Sequence, residues 1–212
     1  MSPRIPLGPS LPPGLYGMAD AAFGDPLVLA LALAEGGCRV VQLRAKAWSS
    51  PQRARAATAL VLALRPRGVR LLVNDDVDAA ALAGADGVHL GQDDGDIATA
   101  RARLGPGALI GRSTHSLAQV ARAAAEGADY LGFGPVFPTR TKADADRVVG
   151  LDGLRAAVAA TSLPVVAIGG IDRDRLPELR RTGVHGWAVV SALLEAARAG
   201  AEALSAEARR YA

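Results

Sequence analysis

The chain has 212 residues, half of them hydrophobic, and a formal net charge of +3. That length suits one domain with an ample core. No apolar run approaches the roughly 20 residues of a bilayer span, so a cytoplasmic chain without membrane contact is expected. Aromatic residues are only 4% of the chain and offer bases no stacking platform. Nucleic-acid binding therefore gains no support, whereas a positive cleft suits phosphorylated metabolites. The single cysteine, Cys38, permits no internal disulfide and no cysteine zinc cluster, and a packing role is expected.

Residues 1–14 are rich in proline and glycine, lack the apolar stretch of a signal peptide, and read as a loose arm. Strands and helices then alternate. Strands are predicted at 15–19, 39–44, 70–74, 87–90, 108–112, 129–133, 164–168 and 186–190. The intervening helices are predicted at 26–36, 50–65, 76–83, 95–104, 116–126, 151–160 and 173–181, with an eighth beginning near Ser191. Gly84 and Gly127 stop helices just before the chain returns into a strand. A longer loop covers 135–149. This spacing favours a closed (β/α)8 TIM barrel over 15–199, with residues 200–212 extending the last helix as a helical tail.

In such a barrel the carboxyl ends of the strands carry the chemistry. Gln42, Arg44 and Lys46 alternate with apolar residues, so period two sets them on one side of the second strand and its extension. An arginine fork and a lysine point charge suit phosphate groups. Asn74, Asp75 and Asp76 end the third strand, and Asp93 and Asp94 follow the fourth. These carboxylates either share a hard cation such as Mg2+ or cap the helices that follow. Ser113 and Thr114 end the fifth strand, followed by His115. After the sixth come Thr139, Arg140, Thr141 and Lys142, an anion-binding candidate or an ordinary polar loop. Gly169 and Gly170 follow the seventh strand, and Val190 and Ser191 lead into the eighth helix. Loops at those two strand ends form the phosphate cup of many barrels.

Five ordered motifs carry a resemblance. They are Gln42-Leu43-Arg44-Ala45-Lys46, Asn74-Asp75, His89 through Asp94, Ser113-Thr114-His115, and Gly134 through Lys142, with Ala167 through Gly170 beyond them. Together they resemble the thiamine phosphate synthase family over about residues 15–198. The resemblance implies a transferase that joins an aminopyrimidine diphosphate to a thiazole phosphate and releases diphosphate. By the same resemblance Gln42, Arg44, Lys46 and Asn74 contact the pyrimidine diphosphate. Asp75 and Asp94 hold magnesium, and Ser113 and Lys142 bind and stabilise the departing diphosphate. Thr139 and Thr141 belong to the thiazole-phosphate region, and Gly170, Val190 and Ser191 complete its phosphate cup. Arg112 stands where the family pattern commonly has a small apolar residue. The stretch from Gly111 to Ser116 is also similar to the related TenI-like thiazole tautomerases, in which the residue matching His115 moves a proton. A noncatalytic phosphate-metabolite binding barrel and a homo-oligomer remain open on the sequence.

Overall fold

The computed structural model describes residues 10–139 and 147–212. Strands β1 (Gly14–Asp20), β2 (Val40–Arg44), β3 (Arg70–Asn74) and β4 (Gly87–Leu90) form the first half of the sheet. Strands β5 (Leu109–Thr114), β6 (Tyr130–Phe133), β7 (Val165–Ile168) and β8 (Gly186–Ala188) form the second. Every neighbouring pair is parallel, and β8 pairs back onto β1, so the sheet closes into the expected (β/α)8 barrel.

Helices follow each strand. They are α1 (Pro26–Glu35), α2 (Ser50–Leu64), α3 (Val77–Ala83), α4 (Ile97–Leu104), α5 (Leu117–Ala125), α6 (Gly150–Ala159), α7 (Leu176–Arg180) and α8 (Ser191–Arg198). Their starts are written locally. Asp25 accepts from the Leu27 amide at 2.8 Å, with Pro26 fixing the first helical φ. Ser49 and Gln52 form a capping box on α2. No helix among the described residues is long and apolar enough to cross a membrane.

Period two divides each strand between two cores. Val41, Leu43, Leu71, Val73, Val88 and Ile110 face the helices in one cluster. Val40, Leu72, Leu109 and Val166 fill the barrel interior in another, below the mouth. Leu11, inside the segment expected to be a loose arm, is buried in that interior cluster. The His185 ring donates to its carbonyl at 2.8 Å. Cys38 is buried and its thiol donates to Leu15 and Val40 carbonyls, in keeping with packing.

Some boundaries differ from those expected, each for a local reason. Strand β5 runs on to Thr114 because Ser113 and Thr114 pair with Gly132 and Phe133. Helix α7 starts three residues late because the Asp172 side chain closes a turn onto the Arg175 amide at 3.1 Å. Strand β8 stops at Ala188, where its pairing with β1 and β7 ends. The tail does not extend α8. The chain turns at Gly200 with φ +116 and begins a separate helix, α9 (Ala201–Arg209). That helix packs on α1, and the Trp187 indole donates to the Tyr211 carbonyl at 2.9 Å.

Candidate active site

The carboxyl ends of the strands surround a cavity of about 430 Å³. Gln42, Arg44, Lys46, Asn74, Asp75 and Asp94 line one side. Ser113, Thr139, Gly170, Val190 and Ser191 line the other. Thr141 and Lys142 lie outside the described residues.

On strand β2 the alternation read from the sequence has a structural counterpart. Gln42 is buried inside the barrel, and the Arg44 guanidinium forms an ion pair with Asp20 at the end of β1. Asp20 is itself buried and accepts from the Ala22 amide at 3.0 Å. The sequence reading gave Asp20 no role. Its place at a strand end beside an arginine strand end was the available signal.

The carboxylates after β3 and β4 separate into helix caps and cavity-lining groups. Asp76 caps α3, accepting from the Ala79 amide at 2.8 Å and from Arg53 at 2.8 Å. Burial pushes its carboxyl up, but those donors and Ser50 outweigh it and hold the pKa below the ordinary range. Neither Asp93 nor Asp94 caps α4. That cap is Asp96, which accepts from the Thr99 amide at 2.7 Å, because α4 begins at Ile97 rather than residue 95. Asp94 instead turns back to accept from the Gly91 amide at 2.9 Å and faces Asp75. Asp75 has φ +64, a left-handed conformation that Asp tolerates better than most side chains. Burial, then the hydrogen bond and charge of Asp94, push its carboxyl up to about 6, against the opposing pull of Lys46 and Asn74.

No group of three or more His, Cys, Asp or Glu ligands occurs among the described residues. A pair of carboxylates facing each other in a cavity also lined by Arg44 and Lys46 nevertheless fits Mg2+. That ion takes one or two protein carboxylates and completes its shell with water and substrate phosphate.

Ser113 ends a half-buried polar line along the cavity wall. Its hydroxyl lies 2.9 Å from His89 Nε2, and His89 Nδ1 lies 2.8 Å from the Tyr130 hydroxyl. Tyr130 in turn lies 2.9 Å from the Tyr16 hydroxyl. Burial first, then the Arg112 charge, lower the His89 pKa to about 4, and Asp94 opposes them. The imidazole is therefore neutral. Sequence reasoning quoted His89 as part of a motif and assigned it nothing. His115 also lines the cavity, with Nδ1–H donating to the Gly134 carbonyl at 2.5 Å. Ser116, one residue later, caps α5.

Arg112 points outward, as its neighbour Ser113 pointing inward requires. Its guanidinium donates to the Gly91 carbonyl at 2.5 Å and the Gly95 carbonyl at 2.8 Å, with Glu126 4.0 Å away. It clamps both ends of the loop that carries Asp94.

The β6 and β7 loops are joined by backbone. Val136 and Phe137 amides donate to Ile168 and Gly169 carbonyls at 2.9 Å and 3.0 Å. Gly170 has φ +63, and a Cβ there would lie 2.4 Å from the Pro138 carbonyl oxygen. Opposite it Val190 and Ser191 line the cavity, and among the described residues no side-chain hydrogen bond caps the start of α8.

A sequence profile described as thiamine monophosphate synthase matches residues 16–193. The chain belongs to the thiamine monophosphate synthase family. The thiamine-phosphate synthase of Laribacter hongkongensis is 48% identical over 191 residues, covering 90% of this chain and 86% of that protein. That of Chloroflexus aurantiacus is 48% identical over 161 residues, covering 76% of this chain and 74% of that protein. Among solved structures, the thiamine phosphate pyrophosphorylase of Pyrococcus furiosus superposes with a TM-score of 0.82 at 39% identity, covering 93% of each chain. In this thiamine monophosphate synthase family member Arg112 lies on the outer face of β5 and is not among the residues that line the cavity.

Proposed function

We propose that the protein is a thiamine-phosphate synthase. It condenses 4-amino-5-hydroxymethyl-2-methylpyrimidine diphosphate with 4-methyl-5-(2-phosphooxyethyl)thiazole to give thiamine phosphate and diphosphate. The observation that carries this reading is a single cavity bordered by cationic side chains, a facing carboxylate pair and an uncapped helix start. Those three sectors suit a diphosphate, its counter-ion and a second phosphate.

The chemistry is a substitution at the exocyclic methylene. The C–O bond to diphosphate breaks first, and the electron-rich aminopyrimidine stabilises the positive charge left on carbon. Charge then grows on the leaving group, where Arg44, Lys46 and the Ser113 hydroxyl lower the barrier. Asp20 holds the Arg44 fork in place. Asp75 and Asp94 would hold magnesium, which when bound supplies further positive charge to the diphosphate. Gln42 and Asn74 orient the pyrimidine. By resemblance Thr139 and Thr141 serve the thiazole phosphate, and Lys142 joins Ser113 on the departing diphosphate. Backbone amides near Gly170, Val190 and Ser191 take the thiazole phosphate and aim the ring nitrogen at the methylene carbon. Alignment matters because water competes for the same cation. The thiazolium product keeps its charge, so no general base is obligatory.

The test is a time-resolved assay with both substrates and magnesium. Thiamine phosphate and diphosphate should appear in equal amounts. Isomerised thiazole phosphate without coupled product would overturn the reading in favour of a tautomerase at His115.

A further inference from the structure

The half-buried line along the cavity wall joins four strands: Tyr16 from β1, Tyr130 from β6, His89 from β4 and Ser113 from β5. The barrel is shaped to hold it. A Cβ on Gly111 would lie 2.1 Å from Tyr130 Cζ and 2.4 Å from its hydroxyl oxygen, so the ring reaches His89 only because that residue is glycine. A Cβ on Gly132 would sit 3.2 Å from His89 Cε1. Register brings these positions together, with His89 beside Gly111, Gly111 beside Tyr130, and Ser113 beside Gly132.

Hydrogen-bond accounting gives the line a direction. Two phenols, one neutral imidazole and one serine carry four exchangeable protons, and the three bonds use three of them. In one direction Tyr16 donates to Tyr130, Tyr130 donates to His89 Nδ1, and His89 Nε2–H donates to Ser113 Oγ. The spare proton is then on Ser113, which lines the cavity. In the opposite direction Ser113 donates inward and the spare proton is on Tyr16. Tyr16 lines the same cavity as Ser113, so burial alone does not separate the two directions. The opposite direction would turn a serine lone pair toward substrates whose phosphates offer only acceptors. The first direction is the one that presents a serine donor to an anion.

We propose that His89, held in its Nε2–H tautomer by Tyr130 and Tyr16, is a positioning residue that turns the Ser113 proton toward the departing diphosphate. This rests on the synthase reading above. His89 accepts no proton in the reaction. It fixes which way the serine donates, so that no reorientation is needed as charge develops on the leaving oxygen.

The experiment has a spectroscopic arm and a kinetic arm. In the first, nitrogen-15 NMR of histidine-labelled protein without substrates reads the tautomer of His89. Nε2–H is expected, and Nδ1–H would overturn the proposal. In the second, single-turnover coupling is measured for His89→Gln and His89→Met. The Gln amide can still donate to Ser113, so its rate should stay within about fivefold of the unaltered protein. Met fills similar volume without a donor and should lose at least roughly tenfold, short of the roughly 10²-fold expected from deleting the Ser113 hydroxyl itself. Affinity for the pyrimidine diphosphate should change little in either variant. If Gln is as slow as Met, or Met is as fast as the unaltered protein, His89 does not act by orienting Ser113. Failure of the synthase reading looks different, because the unaltered protein would then form no thiamine phosphate at all. The tautomer measurement stands whether or not either variant folds.

Discussion

The two halves of the barrel mouth recruit polar groups in different ways. From β1 to β5 the cavity is lined by charged and polar side chains, among them Asp20, Arg44, Lys46, Asp75, Asp94 and Ser113. Among the described residues from β6 to β8 no charged side chain lines it; Gly132, Gly134, Gly169 and Gly170, apolar residues such as Val166 and Ala188, the hydroxyls of Tyr130, Thr139 and Ser191, and the start of α8 do. The first half offers charge that can answer charge developing during a reaction. The second offers fixed backbone dipoles, which recognise an anion whose charge does not change. That division matches a substrate that ionises on one side and a phosphate that stays a handle on the other. Substitutions in the first half should therefore act on rate, and those in the second on affinity.

The largest effect is expected at the facing carboxylates. Asp75→Asn or Asp94→Asn should lower turnover by roughly 10²-fold or more, the scale of losing a charge stabiliser at a reacting group. Asn tolerates the φ of +64 at position 75 as well as Asp does, so the fold should persist by circular dichroism. If both residues serve one cation, the double variant should be little worse than either single one. Independent, multiplying losses would show that they do not share a ligand.

Arg112 tests whether the charged half depends on support from outside the cavity. Arg112→Met leaves the Gly91 and Gly95 carbonyls without their donor and frees the loop carrying Asp94. Magnesium affinity should weaken by roughly 10- to 100-fold, as for other residues that orient metal ligands. Calorimetric titration of magnesium in the presence of diphosphate measures this directly. Unchanged affinity would reduce Arg112 to a packing residue.

The side-chain half was far more legible in the sequence than the backbone half. Lys46 is one of only two lysines in the chain and follows β2, so charge marked that position. Period two alone aligned Gln42 with Arg44. What sequence could not rank was which of several adjacent carboxylates does what. Asp76 and Asp96 became caps while Asp75 and Asp94 turned to the cavity, and a one- or two-residue shift in a helix start decides between these fates. His89 was hidden because its partners, Tyr16, Tyr130 and Ser113, lie on three other strands. Gly200 marked the break before α9, but the alanine-rich composition on both sides of it read as one helix.

His89 also gives the charged half a pH signature. Its pKa of about 4 in the fold lies below the unfolded value near 6.5. The unfolded chain thus binds more protons between the two, and stability is lost as pH falls through that window. Between pH 7 and pH 5 the loss should be about 2 kcal/mol. Asp75, with its carboxyl pushed up to about 6, works in the opposite sense, gaining stability as pH falls. The comparison is therefore best made in the Asp75→Asn background, with and without His89→Gln. Urea midpoints that shift with pH equally in both proteins would mean that His89 is not the group responsible.

The backbone half is tested most sharply at Gly170. Alanine there must adopt φ +63, at a cost of roughly 1–2 kcal/mol for an L side chain. Its Cβ would also press on the Pro138 carbonyl from 2.4 Å, so the β6 and β7 loops must part. Gly170→Ala should raise KM for the thiazole phosphate by roughly tenfold, the equivalent of about 1.4 kcal/mol, with KM for the pyrimidine diphosphate within about twofold. Ser191→Ala is the matching control. It removes a hydroxyl but keeps the amide at the start of α8, so the same KM should move by no more than about threefold. If Ser191→Ala weakens the thiazole phosphate as much as Gly170→Ala does, side chains rather than backbone dipoles carry recognition there. The contrast between the two halves of the mouth would then fail.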